Sequence, residues 1–151
     1  ARMLQELHVG HHEKVLEIGA GSGYVAALLA YGSRQVHTME IDPEMADTAR
    51  ENLRRAGISN AVVVRGDGSA GLNAEAPFDA VMVSGSVAQV PSTLLDQLKI
   101  GGRLVAIVGH QPVMHATLFT RVSAEQWREA VLFDTVAPRL IGFSEPSRFT
   151  F

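Results

Sequence analysis

Three glycines at alternate positions, Gly19, Gly21 and Gly23, follow the apolar run Val15, Leu16 and Ile18 and precede a second apolar run from Val25 to Ala30. Strand, glycine turn and helix in that order make room for a nucleotide-like ligand at the carboxyl end of a first strand. Glycine allows positive φ and close backbone approach because it carries no Cβ. Ala20 and Ser22 complete the loop. Glu17, on the strand just before it, puts an acid where a pyrophosphate binder does better without charge. The pattern favours a ligand with a positive end and no pyrophosphate.

The glycine spacing argues the same way. A dinucleotide fingerprint, G-x-G-x-x-G, would need its last glycine at Tyr24 or Ala26. The chain instead reads Glu-x-Gly-x-Gly-x-Gly. Further polar groups stand at suitable distances. The run Gln35–Glu40 alternates like a strand and ends in a carboxylate, 19 residues after Gly21. A carboxylate at the tip of a second strand can accept both hydroxyls of a ribose. Asp42 and Pro43 suit the capping and first positions of the next helix. That leaves Glu40, with Ile41 beside it, for the ligand. After an apolar strand, Gly66-Asp67-Gly68 offers an acceptor for an adenine amino group between two glycines; the alternative is a plain Asp-Gly turn. A fourth strand ends at Ser84-Gly85-Ser86. No His/Asp or Ser/His pair stands out, so no catalytic group is assigned. Ser84 and Ser86 are candidates for hydrogen-bonding an acceptor, and Ser84 also for the ligand, against a reading as ordinary strand-end serines.

The elements that would position these groups alternate along the chain. Helix about 1–9 is closed by Gly10. Strand 14–18, helix 22–31, strand 35–40 and helix 43–56 follow. The last of these carries Met45, Ala46, Ala49, Leu53 and Ala56 on one stripe and stops at Gly57. Strand 61–65, strand 78–83, a short helix 91–98 and strand 103–108 continue the pattern. Extended segments 115–122 and 127–136, joined by Ser123–Gln126, leave room only for an antiparallel hairpin. The expected fold is α/β and doubly wound. Its mostly parallel, seven-stranded sheet ends in that hairpin.

Composition sets the remaining bounds. The 151 residues make one domain with a sizeable core. Net charge is −3 and no basic run occurs, which argues against a nucleic-acid partner. The absence of cysteine excludes disulfides and thiolate zinc sites and fits a cytoplasmic setting. No apolar stretch is long enough to span a bilayer. His11-His12, His110 and His115 lack further ligands nearby, and no metal site is expected. Trp127 with Phe133 is expected to pack the final hairpin. Phe149 and Phe151 are expected to tuck against the sheet or a partner chain, so an oligomer would form through the hairpin and tail. The chain opens in what reads as the middle or end of an amphipathic helix without Met, and a segment upstream is expected.

The glycine loop resembles the first motif of class I S-adenosylmethionine (SAM) methyltransferases, whose fold is Rossmann-like. A longer set of residues narrows this. Val15 to Tyr24, Gly66-Asp67-Gly68, Ala76-Pro77-Phe78-Asp79-Ala80 and Val108-Gly109 are similar to the protein-L-isoaspartate O-methyltransferase family. The most specific stretch runs from Pro91 through Leu94, Gln97, Leu98, Lys99 and Gly101-Gly102 to Arg103-Leu104-Val105. The match is continuous over about 14–110, and the tail from Gln111 to Phe149 resembles a shorter bacterial branch. The resemblance implies methylation of isoaspartyl α-carboxylates in damaged proteins, with SAM as cofactor and S-adenosyl-L-homocysteine as product. It implies a SAM loop at Gly19–Gly23, Glu40 on the ribose, Asp67 on the adenine, and Glu17 orienting the loop or approaching the methionine ammonium. The family's Ser-Ala-Pro-His-like substrate motif lies upstream of the glycine loop and is absent from these residues. Here Ser84–Val90 replaces the family's Ala-rich stretch. Two other readings stay open: SAM-dependent transfer to a small-molecule or other acceptor, and a SAM-binding module without catalysis.

Overall fold

A computed structural model describes residues 2–145. It contains α1 (Arg2–Leu7), β1 (Lys14–Ile18), α2 (Tyr24–Gly32), β2 (Gln35–Glu40), α3 (Pro43–Arg55), β3 (Ala61–Arg65), β4 (Phe78–Val87), α4 (Ser92–Asp96), β5 (Leu98–His110), β6 (Val113–Ser123) and β7 (Gln126–Asp134). The strands form one sheet in the order β3-β2-β1-β4-β5-β6-β7. The first five run parallel; β6 is antiparallel to β5, and β7 to β6. The expected α/β sheet ending in an antiparallel hairpin is therefore the one observed. The chain leaves β1 toward β2 and β3 on one side and β4 and β5 on the other. The crevice where strand order reverses lies between β1 and β4, where such sheets bind ligands.

Two-residue side-chain alternation splits the core. Val15, Val36, Ala80 and Met82 face α1, α2 and α3 together with Leu29, Ala46, Ala49 and Leu53. Leu16, Ile18, Val81, Val83 and Leu104 face α4 and the loops around it, with Leu94 and Phe78. Asp42 starts α3 as its sequence position suggests: its side chain accepts from the Glu44 backbone N–H at 2.9 Å, and Pro43 takes the first helical position. The buried stripe of α3 is narrower than the pattern implies, since Met45 and Ala56 are exposed.

Most boundaries after β1 shift by a residue or more from the sequence reading, β2 and β3 excepted, and three of the shifts have a clear structural cause. β4 continues through Ser84-Gly85-Ser86 to Val87, because after an irregularity between Met82 and Ser86 it resumes pairing with Ile107 and Val108 of β5. An extra residue or two on one strand bends it and re-aims its tip. β5 begins at Leu98, which pairs with Phe78, so Lys99–Gly102 lies within the strand. α4 stops at Asp96 because Gln97 is taken up elsewhere: its Oε1 accepts from the Leu72 N–H and its Nε2 donates to Ala70 O. Trp127 does pack inward from the hairpin, donating Nε1–H to Leu95 O at 3.1 Å, with Arg121 over its ring. Phe149 and Phe151 lie outside the described residues.

Candidate active site

The loop after β1 folds over the tip of β2. The backbone N–H groups of Gly19 and Ala20 both donate to Met39 O, at 2.8 and 3.1 Å. Gly21 N–H donates to Glu40 Oε1 at 2.9 Å, and Asp42 N–H to Glu40 Oε2 at 3.1 Å. These bonds fix the Glu40 carboxylate at the strand tip. Each carboxylate oxygen has two acceptor positions, so each keeps one for a further donor.

The three glycines are not equivalent. Gly21 has φ +53° and open space where a side chain would stand. Gly23 has φ +89°, and a Cβ there would meet Ala49 O at 3.2 Å. Gly23 thus lets α2 start against α3, and the neighbouring Ser22 carbonyl is held from the same side by Asn52 Nδ2 at 2.8 Å. Gly21 is the position that leaves room beside the backbone.

A cleft of about 150 Å³ opens beyond these strand tips. Its floor is Ile18 and Gly19 from β1, Met39, Glu40 and Ile41 from β2, and Gly66 and Gly68 after β3. Its other wall comes from the far end of the chain: Arg139, Leu140, Ile141 and Phe143. This strap is attached to β4 by two backbone bonds, Ser86 N–H to Pro138 O at 2.8 Å and Leu140 N–H to Ser86 O at 2.9 Å. Sequence reasoning missed the strap. Its signal is an apolar Leu140-Ile141 next to Gly142, outside any periodic element.

Asp67 caps the short 3-10 turn Gly68–Ala70, accepting from Ser69 N–H at 2.9 Å. Gly142 of the strap lies against its carboxylate. Glu17 points away from the cleft, to the α2 side of the sheet. It is fully buried and accepts from Thr38 Oγ1–H and Ser84 Oγ–H, both at 2.6 Å. Burial pushes its carboxyl up to about 7; the two hydroxyl donors oppose this and the charge of Glu40 adds to it. Ser86 is also buried, and its backbone and Oγ are engaged by the strap.

Gly19, Glu40, Ile41, Gly66 and Gly68 therefore share one cleft. Gly21 and Asp67 stand at its rim, Glu17 and Ser84 form a pair beneath the loop, and Gly23 faces α3. A nucleoside fits this donor and acceptor set: an apolar slot between Ile41 and the strap, a fixed carboxylate at one strand tip and a second at the next. Among the described residues no group of three or more potential metal ligands occurs, and no helix is long and apolar enough to cross a membrane.

The comparisons agree with one another. A protein from Methanoculleus marisnigri named protein-L-isoaspartate O-methyltransferase is 51% identical over 109 residues, covering 72% of this chain and 50% of that protein. A solved protein-L-isoaspartate O-methyltransferase is 28% identical with a TM-score of 0.85 and covers 93% of this chain and 46% of its own. A Plasmodium falciparum protein solved with S-adenosyl-L-homocysteine shares the fold, with a TM-score of 0.76 at 21% identity, covering 92% of this chain and 69% of that one. The chain spans about half the length of the curated relatives it matches. The family model described as Protein-L-isoaspartate(D-aspartate) O-methyltransferase (PCMT) matches residues 1–136, and the chain belongs to that family.

Proposed function

We propose that this chain is the SAM-binding part of a protein-L-isoaspartate O-methyltransferase acting in protein repair. The observation that carries the reading is the Glu40 carboxylate, fixed by Gly21 and Asp42 at the lip of a cleft at the switch point of the sheet. When bound, SAM supplies an activated methyl to an isoaspartyl carboxylate oxygen; the C–S bond breaks as the O–C bond forms, giving the methyl ester and S-adenosyl-L-homocysteine.

The residues of this chain would act by binding and placement. Glu40 accepts the ribose hydroxyls, Ile41 and the strap enclose the base, and Asp67 accepts from its amino group. Gly19, Ala20, Gly21 and Ser22 present backbone toward the remaining part, above Gly66 and Gly68. Glu17 holds Ser84 and thereby the tip of β4. A carboxylate is already a nucleophile at neutral pH, so orientation and exclusion of water carry the rate and no general base is required. The reading brings with it isoaspartyl proteins as substrates, a cytoplasmic setting and no nucleic-acid or membrane partner. A second copy would join through the C-terminal hairpin and tail.

The test is transfer of labelled methyl from SAM to an isoaspartyl peptide by the full-length protein that carries this chain, with the aspartyl peptide as control. Base-labile label on the isoaspartyl peptide alone is expected. Label on neither peptide, with SAM still bound, would favour transfer to another acceptor or the binding-module reading.

A further inference from the structure

Arg139 is the one basic residue among those lining the cleft, and it stands on the side away from the nucleoside pocket. Glu40, Ile41, Gly66 and Gly68 occupy the β2 and β3 end. Arg139 sits over β4 and β5: its Nη2 donates to Gly109 O at 2.9 Å and lies 3.0 Å from His110 Nδ1, and its Nη1 is 3.5 Å from Ser86 Oγ. A cofactor with its nucleoside over β2 extends along the crevice toward β4. A second substrate that receives a group from its far end must then lie over the tips of β4 and β5. The guanidinium is already posted there.

Its present counter-ion shows what it can hold. Arg139 Nε meets Glu145 Oε1 at 2.8 Å. The Glu145 side chain is 47% exposed and belongs to the segment following the strap, whereas the Arg139 side chain is 28% exposed and tied to two strands. An ion pair with one anchored and one solvated partner exchanges its solvated partner at little cost. Nη1 and Nη2 are engaged by Ser86 Oγ, Gly109 O and His110 Nδ1, so a carboxylate takes the Nε position that Glu145 Oε1 now fills.

We propose that Arg139 recognises the carboxylate of the methyl acceptor, and that Glu145 occupies the same guanidinium until the acceptor displaces it. The inference rests on the isoaspartyl transferase reading. It makes Arg139 a substrate-binding and specificity residue, and Glu145 an internal competitor six positions further along the chain. One carboxylate oxygen is held by the cation while the other faces the crevice.

The experiment measures methyl transfer to an isoaspartyl peptide by the full-length protein, alongside the affinity for S-adenosyl-L-homocysteine, for wild type, Arg139→Gln and Glu145→Gln. Arg139→Gln keeps amide donors for Gly109 O but loses the charge. Its peptide KM is expected to rise about 10- to 100-fold, well beyond any accompanying loss of S-adenosyl-L-homocysteine affinity. Glu145→Gln is expected to lower the peptide KM about 2- to 5-fold, an effect that a purely structural strap contact would not produce. An unchanged KM in Arg139→Gln, or a KM rise matched by an equal loss of S-adenosyl-L-homocysteine affinity, overturns the inference and leaves the function standing. If Arg139→Gln does not fold, Glu145→Gln decides: a lowered KM supports the inference, an unchanged or raised one overturns it. A wild-type protein that transfers no methyl to the isoaspartyl peptide overturns the functional reading, and this inference with it.

Discussion

Ser84 Oγ donates to Glu17 Oε2 across 2.6 Å, joining the tip of β4 to the strand that enters the glycine loop. The bond is partly buried on the side of the sheet covered by α2 and α3, and Thr38 Oγ1 adds a buried bond from β2. Three neighbouring strands are thus tied at the level where the cleft begins.

Glu17 should leave a signature in the pH dependence of stability. Its carboxyl titrates near 7 in the folded chain, against an ordinary value of 4.5. Between those values the native state keeps a proton that the unfolded chain has lost. Stability therefore falls as pH rises from 4.5 to about 7 and levels off above that, by up to about 3 kcal/mol. Glu17→Gln removes the titration. In urea unfolding from pH 4.5 to 8, the stability of the wild type relative to the variant should drop by that order. A difference independent of pH would show that burial does not govern this carboxyl.

Glu40→Gln keeps an oxygen for Gly21 N–H but discards the charge. Hydrogen bonds to a charged group contribute about 1.5–3 kcal/mol, so affinity for S-adenosyl-L-homocysteine should weaken roughly 10- to 100-fold. Titration calorimetry gives the number. Wild-type affinity in the variant would remove Glu40 from the ligand site.

Gly21 and Gly23 should respond oppositely to alanine. Gly23→Ala combines φ +89° with a Cβ 3.2 Å from Ala49 O. It should cost about 1–3 kcal/mol of stability while the folded protein binds S-adenosyl-L-homocysteine as before. Gly21→Ala meets no protein atom within 4 Å. Its stability cost should be about 1–2 kcal/mol, with the main loss in ligand affinity. Thermal melts beside calorimetry separate the two, and the reverse ordering would reassign both glycines.

Arg103 closes the opposite end of the sheet. Its Nη2 meets Glu13 Oε1 at 2.5 Å, and its Nε donates to Leu7 O at 2.7 Å. The Arg103 hydrogen bond holds the Glu13 carboxyl below its ordinary value, against a smaller opposing effect of burial. A lowered pKa contributes stability above the unfolded value, which is lost as pH falls through the folded one. Arg103→Met should therefore destabilise by about 2–3 kcal/mol at pH 7 and by less below pH 4. Denaturant unfolding at the two pH values checks it; an equal loss at both would assign the effect to packing alone.

Local signals carried most of the fold. The β1, β2 and β3 boundaries follow from apolar runs stopped by glycine or acid, and Asp42-Pro43 placed α3 to the residue. Glu40 was legible because its strand, its spacing from Gly21 and the rival cap at Asp42 are all local. Glu17 read as an acid that orients the loop or approaches the ligand: strand parity puts it beneath the loop on the α2 face, and only its pairing with Ser84, 67 residues away, reveals the environment. The strap was not legible, since its fixed points are two backbone bonds to Ser86 and no side-chain pattern announces them.

Leu140 and Gly19 lie against each other at opposite ends of the described sequence. A chain synthesised from its amino end makes the glycine loop well before this wall of the cleft. Domains fold as their segments emerge, and contacts between distant segments form late. During synthesis the floor of the cleft therefore exists before its wall. Ligand binding, and the stabilisation that comes with it, becomes available only once Arg139 to Phe143 have left the ribosome.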